Sequence, residues 1–313
     1  MNFAFDIAVL RALEAIRTPF LDAFFGAVTY LGHELLYMLA GIIVFWCISK
    51  KWGYYLLSVG AFGTIFSQFA KIACRIPRPW VKYPDFTIVE NARAAATGYS
   101  FPSGHVSGVV GTMGVWARVT TKKWLRAVCI VIIALVSFSR IYLGVHYPTD
   151  VLFSLVVGAV LVFALYPFFA NSDDKPGRIF AIVAFMTALS VIYAIYTEVH
   201  VFPPDTDPVN HAEAIKNAWS LVGSGFGMLL SLWLDHKYIH FELKACWWAQ
   251  ILKVAVGLAL LLGIKEGLKP LLNAVFGSEA LFTNAIRYFA VVAFAGAVWP
   301  LTFRWFARLG TKK

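Results

Sequence analysis

Long apolar runs broken by short polar or charged stretches make up most of the chain. The beginning differs. Phe3, Ile7, Leu10, Leu13 and Ile16 recur at helical spacing, with Asp6, Arg11, Glu14 and Arg17 at the other positions. That pattern predicts an amphipathic helix over residues 3–17, too charged to span a bilayer and suited to its interface. Pro19 restarts the chain, and residues 19–31 read as a second interfacial or half-inserted helix. Apolar runs follow at about 33–49, 54–75, 104–120, 124–143, 149–170, 178–197, 213–235, 246–264 and 284–306. Most approach the roughly 20 residues a helix needs to cross hydrocarbon. The expectation is an all-α, polytopic membrane protein of about nine spans. A closed barrel would show short alternating segments instead. Polar breaks fall at 76–103, 171–178, 198–212 and 265–283, and Gly223, Gly225 and Gly227 fit the seventh run for close helix packing.

Composition agrees: 60% of residues are hydrophobic and 14% charged, against about 25% charged in soluble domains. The net charge of +10 sits in short loops rather than in a basic domain, so it speaks for membrane topology and against nucleic acid. Alternating the loops across nine spans collects Lys50, Lys51, Arg118, Lys122, Lys123, Arg126, Lys175, Arg178, Lys312 and Lys313 on one side. By the positive-inside rule that side is cytoplasmic, which puts the N-terminus outside and the C-terminus inside. Cys47, Cys74, Cys129 and Cys246 lie in or beside apolar runs without metal-ligand spacing and read as packing residues. The first ten residues carry no cationic leader, so no cleavable signal peptide is expected.

Candidate chemistry concentrates at the opposite, extracytoplasmic face. Ser139-Arg140 and His146-Tyr147-Pro148-Thr149-Asp150 join two apolar runs. Charged groups at mid-bilayer cost about 2.5–3.5 kcal/mol each, so their presence marks function. His146 and Asp150 are four apart, the spacing that brings side chains together on a helix; the carboxylate can then orient one ring nitrogen and leave the other to act. The second run ends in Lys71 and Arg78-Pro79, and the third begins with Pro102-Ser103-Gly104-His105. Lys71, Arg78, Arg140 and the nearby Arg75 lack matching carboxylates and call for an anion, of which phosphate suits guanidinium groups best. Ser103 and Gly104 open a helix whose first N–H groups favour an anion. His146, with a carboxylate partner, suits a nucleophile; His105, without one, suits a general acid. Taken singly, each piece has a plainer explanation, such as a snorkelling lysine, a helix stop, a capping aspartate or a small-residue packing face. It is their convergence on one face that favours phosphate chemistry.

These three blocks resemble the signature of the type 2 phosphatidic acid phosphatase superfamily, integral-membrane branch. Lys71, Arg78 and Pro79 match the first block, Pro102 to His105 the second, and Ser139, Arg140, His146 and Asp150 the third. The resemblance covers roughly residues 30–170 and implies a six-helix-type phosphatase core. It further implies that His146 attacks phosphorus to form a phosphohistidine, that Asp150 supports it, and that His105 protonates the leaving oxygen. Lys71, Arg78, Ser103, Gly104 and Arg140 would hold the phosphoryl oxygens, with no metal and no cofactor.

The domain reading is interfacial helices over 1–32, a phosphatase core over 33–170 and a C-terminal membrane-helical extension over 171–313, which could pack on the core, line a lipid entry or form a homodimer contact. The expected function is hydrolysis of a lipid phosphomonoester or diphosphate at the extracytoplasmic face, an isoprenoid diphosphate, phosphatidate or long-chain-base phosphate fitting nearly alike. A small soluble substrate such as a sugar phosphate stays open, as does an anion or lipid-phosphate transporter without hydrolysis. A vanadium haloperoxidase has a similar pocket but is a soluble protein, against this composition. Residues 80–101, with Trp80, Tyr83, Phe86, Tyr99 and Phe101, form a lid candidate suited to the membrane interface. Arg93 in that loop is read as a solvated charge, Glu266 and Lys269 as an exposed pair one turn apart, and Trp247, Trp248 and Trp299 as interfacial belt residues.

Overall fold

Residues 3–171 and 177–309 are described by a computed structural model. The turn expected at 171–178 therefore falls mostly outside the described residues, as do Lys175, Lys312 and Lys313. The described residues are helical with irregular connections and contain no β-strand. Among the described residues, six helices are long and apolar enough to cross a membrane, or seven if a pair bent by 44° (Pro19–Gly32 and Glu34–Ile48) is one span. Helices also occupy the other expected runs, but Gly104 to Val119 is short and 208–234 is diluted by glycine and serine.

The chain divides into two compact units. The first comprises residues 1–40 and 55–167. It contains α1 (Phe3–Glu14), α2 (Pro19–Thr29), the start of α3 (Glu34–Ile43) and most of α4 (Lys50–Cys74). After the 76–103 segment come α5 (Gly104–Val109, continued through a π turn to Val119), α6 (Lys123–Tyr142) and α7 (Pro148–Ala170). Local chemistry explains several boundaries. Thr18 accepts from the Leu21 N–H at 3.3 Å to cap α2, with Pro19 at the first helical position. Gly144 stops α6 at φ +77°, where a Cβ would lie 2.7 Å from Arg17 Nη2 and 2.9 Å from the Phe86 ring. Proline at the head of α7 forgoes only an N–H that would have no helical partner.

The amphipathic N-terminus does more than the sequence shows. Asp6 is fully buried and accepts hydrogen bonds from the backbone N–H (3.1 Å) and hydroxyl (2.9 Å) of Thr149. It thus satisfies a first-turn donor of α7 from another helix. Arg11 pairs with Asp85, Glu14 accepts from Thr87, and Arg17 donates to the carbonyls of Thr87 and Tyr142. Leu10, Phe25, Phe86, Ile88, Val89, Leu143, Val145 and Tyr147 form the core beneath. Phe86 is therefore packed inside, not displayed at the interface, and the 80–101 segment is fastened to the N-terminal helices and the α6–α7 junction.

The second unit comprises residues 41–54 and 168–313, with α8 (Gly177–Val199), α9 (Pro208–Leu234), α10 (Trp247–Phe276) and α11 (Thr283–Ala293, continued by irregular turns into Phe303–Arg308). Small residues let α9 approach its neighbours: a Cβ on Gly223 would lie 2.0 Å from the Ala285 carbonyl, and one on Gly225 2.6 Å from Thr187 Oγ1. Trp46 and Trp299 are buried side by side over Gly257. Trp299 is thus a core residue, unlike the expected belt role, whereas Trp247 and Trp248 are exposed. Lys253 is buried but donates to the Trp46 carbonyl at 2.8 Å. The four cysteines are free; Cys129 is buried, but Cys74 is exposed, contrary to a packing role.

Candidate active site

The three motif blocks meet in the first unit around a cavity of about 320 Å³. Lys71 and Arg78 enter from α4 and the turn after it, Gly104 and His105 from the start of α5, and His146 from the α6–α7 junction. Ser103, Arg140 and Asp150 do not line the cavity but are completely buried around it. Arg75 is not among the lining residues; it takes a positive φ of 48° beyond the end of α4.

His146 sits between two partners. Its Nδ1 is 3.3 Å from Asp150 Oδ2, and its Nε2 is 2.9 Å from Arg78 Nη1. A guanidinium can only donate, so Nε2 must be the accepting nitrogen and Nδ1 carries the proton toward the carboxylate. The geometry assigns the tautomer with the lone pair on Nε2. Burial first, and then Arg78, Arg140, Lys71 and His105, hold the His146 pKa well below that of an ordinary histidine, so the ring is neutral at physiological pH.

Asp150 is itself held in place. Oδ2 also accepts from the Ser100 hydroxyl at 2.6 Å and the Tyr147 N–H at 3.0 Å. The Ser154 hydroxyl links Asp150 to the second block, donating to the Asp150 carbonyl (2.8 Å) and accepting from the Ser103 N–H (2.9 Å).

Arg78 and Lys71 are less available than the sequence suggests. Arg78 donates to the carbonyls of Gly98 (3.0 Å), Thr97 (2.6 Å) and Val145 (2.8 Å) as well as to His146. Lys71 donates to the Tyr99 carbonyl at 3.0 Å. Both cations therefore pin the 97–99 segment at the cavity wall. Arg140 contrasts with them. Its Nη1 donates to Thr29 Oγ1 at 2.7 Å, while Nε and Nη2 are buried with no partner among the described residues. Ser103 Oγ and His105 Nε2 are likewise buried without a partner, and Ser103 makes no side-chain cap on α5. Each unsatisfied buried group costs about 1–3 kcal/mol. An anion with several acceptor oxygens would satisfy these donors together. At Gly104 a Cβ would meet nothing within 4 Å, so the backbone there faces open space.

The structure adds residues that sequence reasoning passed over. Ser100 holds the Asp150 carboxylate, Ser154 ties α7 to Ser103, Asp6 and Thr149 fix the head of α7, and Thr29 braces Arg140. His33, Glu34, Tyr37, Thr64 and Gln68 complete the cavity wall. Only Ser100, adjacent to the second block, carried a local signal. Arg93 is exposed, pairs with Glu90 at 2.7 Å and packs on Trp80, as a solvated loop charge does.

The chain is similar in sequence to known proteins. The PAP2 superfamily pattern matches residues 51–174, which hold all three blocks, and the pattern described as "PAP2 superfamily phosphatase, transmembrane extension" matches residues 219–312. The chain belongs to the PAP2 superfamily. This PAP2 phosphatase is similar to the undecaprenyl-diphosphatase of Sulfolobus acidocaldarius, at 24% identity over 52% of the chain and 77% of the relative. It is also similar to phosphatidylglycerophosphatase B of Bacillus subtilis, at 29% over 55% of the chain and 85% of the relative. The lipid A 4'-phosphatase of Porphyromonas gingivalis matches at 28% over 52% of the chain and 72% of the relative. No solved structure matches the chain significantly.

Proposed function

We propose that this PAP2 phosphatase hydrolyses the phosphomonoester or diphosphate of a membrane lipid, through a phosphohistidine at His146 and without a metal ion. The observation that carries the reading is the double hold on His146: Asp150 on Nδ1, and an obligate donor, Arg78, on Nε2. That leaves Nε2 unprotonated and nucleophilic at the cavity wall. When a phosphoryl group enters, its oxygens take over donors of Arg78 and Lys71 and satisfy those of Arg140 and Ser103. Nε2 then attacks phosphorus as the P–O bond to the lipid breaks, and His105, having taken a proton from the bound phosphoryl group, delivers it to the departing oxygen. Water next attacks phosphorus and gives its proton to His105, the P–N bond breaks, and phosphate leaves with that proton and with His146 restored. The roles of Lys71, Arg78, Ser103, Gly104 and Arg140 in this scheme are charge neutralisation and positioning, the main contributions a protein makes to phosphoryl transfer.

The donor set around the cavity supports metal independence, since it is cationic apart from Glu34 in the wall, and the buried Asp150 behind it is engaged with His146. The lipid character of the substrate is supported by the named substrates of the relatives and by apolar helices surrounding the site. An extracytoplasmic location is supported by the loop charges alone. The test is phosphate release by purified protein from dioctanoyl phosphatidate, an isoprenoid diphosphate and glucose 6-phosphate, in excess chelator. The lipid substrates should turn over and His146→Ala should abolish release. Preference for glucose 6-phosphate, or loss of activity in chelator restored by magnesium, would refute the corresponding part of the proposal.

A further inference from the structure

We infer that the C-terminal helices contain a second anion site, built to take a phosphoryl group. It lies in the second unit, in a cavity of about 390 Å³ between the later part of α10, the start of α11 and Lys216 of α9. Four cations line it, Lys216, Lys265, Lys269 and Arg287, against one carboxylate, Glu266. The sequence alone offered Glu266 and Lys269 as an ordinary exposed pair. In the structure Glu266 instead lies 3.6 Å from Lys265, and Lys216 pairs with Glu213 outside the cavity.

Arg287 makes this more than a basic patch. Its side chain is buried, with 8% of its surface exposed. Nη2 donates to Asn284 Oδ1 at 2.8 Å, but Nε is buried and has no hydrogen-bond partner among the described residues. No carboxylate neutralises it among the described residues, and its guanidinium lies 5.2 Å from the centre of the Tyr288 ring. A buried guanidinium with an unsatisfied N–H is destabilising unless an acceptor reaches it, and the remaining excess of positive charge favours a dianion over a carboxylate. A phosphate oxygen supplies both the acceptor and the charge. The source is either the headgroup of an anionic phospholipid or free inorganic phosphate. This inference stands apart from the reading of the catalytic cavity, because every residue it uses belongs to the other unit.

The test measures bound ligand on the full-length protein carrying His146→Ala, which removes turnover. Equilibrium binding is read with radiolabelled dioctanoyl phosphatidate and, separately, with radiolabelled orthophosphate. Adding Arg287→Gln and Lys269→Gln should lower the stoichiometry by one equivalent, whatever the catalytic cavity retains. Loss in the lipid arm alone identifies a headgroup site, and loss in both arms a site for the phosphate group itself. Lys269→Glu, on an exposed side chain that folding does not depend on, should weaken the same binding at least tenfold if Arg287 variants fail to fold. In a chain with His146 intact, the same C-terminal substitutions test binding separately from catalysis, so failure of one proposal does not mimic failure of the other. Unchanged stoichiometry together with unchanged affinity in Lys269→Glu would overturn the inference.

Discussion

Replacing Arg78 by lysine keeps the charge and removes the fork, which separates positioning from electrostatics. Arg78 holds the carbonyls of Gly98, Thr97 and Val145 and the Nε2 of His146 from three nitrogens. One ammonium on a flexible stem reaches at most two of these four groups. Charge-assisted hydrogen bonds contribute about 1.5–3 kcal/mol each. Because the 97–99 carbonyls border an open cavity and regain water, the net loss comes to about 2–3 kcal/mol for two bonds. If that loss falls on the positioned transition state, kcat/KM drops about 30- to 150-fold at about 1.4 kcal/mol per decade. The assay is phosphate release from dioctanoyl phosphatidate in detergent, with thermal unfolding of the same samples to confirm folding. A folded Arg78→Lys enzyme within threefold of the parent would show that Arg78 acts as a bare charge and that the tautomer assignment carries no weight.

Further outcomes follow from other contacts. Asp6→Ala removes both bonds to Thr149 and should cost about 1–2 kcal/mol, as loss of a helix cap does, read as a lower unfolding midpoint with a several-fold drop in kcat. Gly104→Ala meets no protein atom, so the unfolding midpoint should hold while KM rises; an unchanged KM would mean that the phosphoryl group does not approach that backbone. Burial depresses the His146 pKa, so the folded chain takes up no proton there while the unfolded chain does below about 6.5. The stability contributed by neutral His146 is therefore complete above pH 6.5 and is lost as pH falls toward the lowered folded value. The parent should lose more stability over that range than His146→Gln, as measured by thermal unfolding across pH 4–7.

The residues that meet at the cavity are legible in the sequence because their signals are local. His146 and Asp150 share one turn, and each block begins or ends an apolar run. The helices were legible for the same reason, since hydrophobic run length is a local property. What was hidden is non-local. Asp6 reads as one polar residue on an amphipathic helix until α1 packs 143 positions away in sequence against Thr149. Thr29 gives no hint that it braces Arg140 across 111 positions. Arg78 and Lys71 look like unpaired cations because backbone carbonyls, their partners at 97–99, leave no trace in a pattern of side chains. Phe86 and Trp299 were assigned to the interface because an aromatic residue between polar neighbours suits either a headgroup zone or a tightly packed core, and only the surrounding chain decides. Gly104 to Val119 reads as a span from its apolarity and is helical throughout, but its π turn and the close approach of Gly108 to the Gly32 carbonyl are not visible in run length.

Rapid quenching of the purified enzyme with a substrate labelled in its phosphate tests the central claim most directly. The account predicts an acid-labile, base-stable phosphoryl adduct on the peptide containing His146, formed at least as fast as turnover and absent from His146→Ala. Turnover by a chain that never carries label on His146 would contradict it.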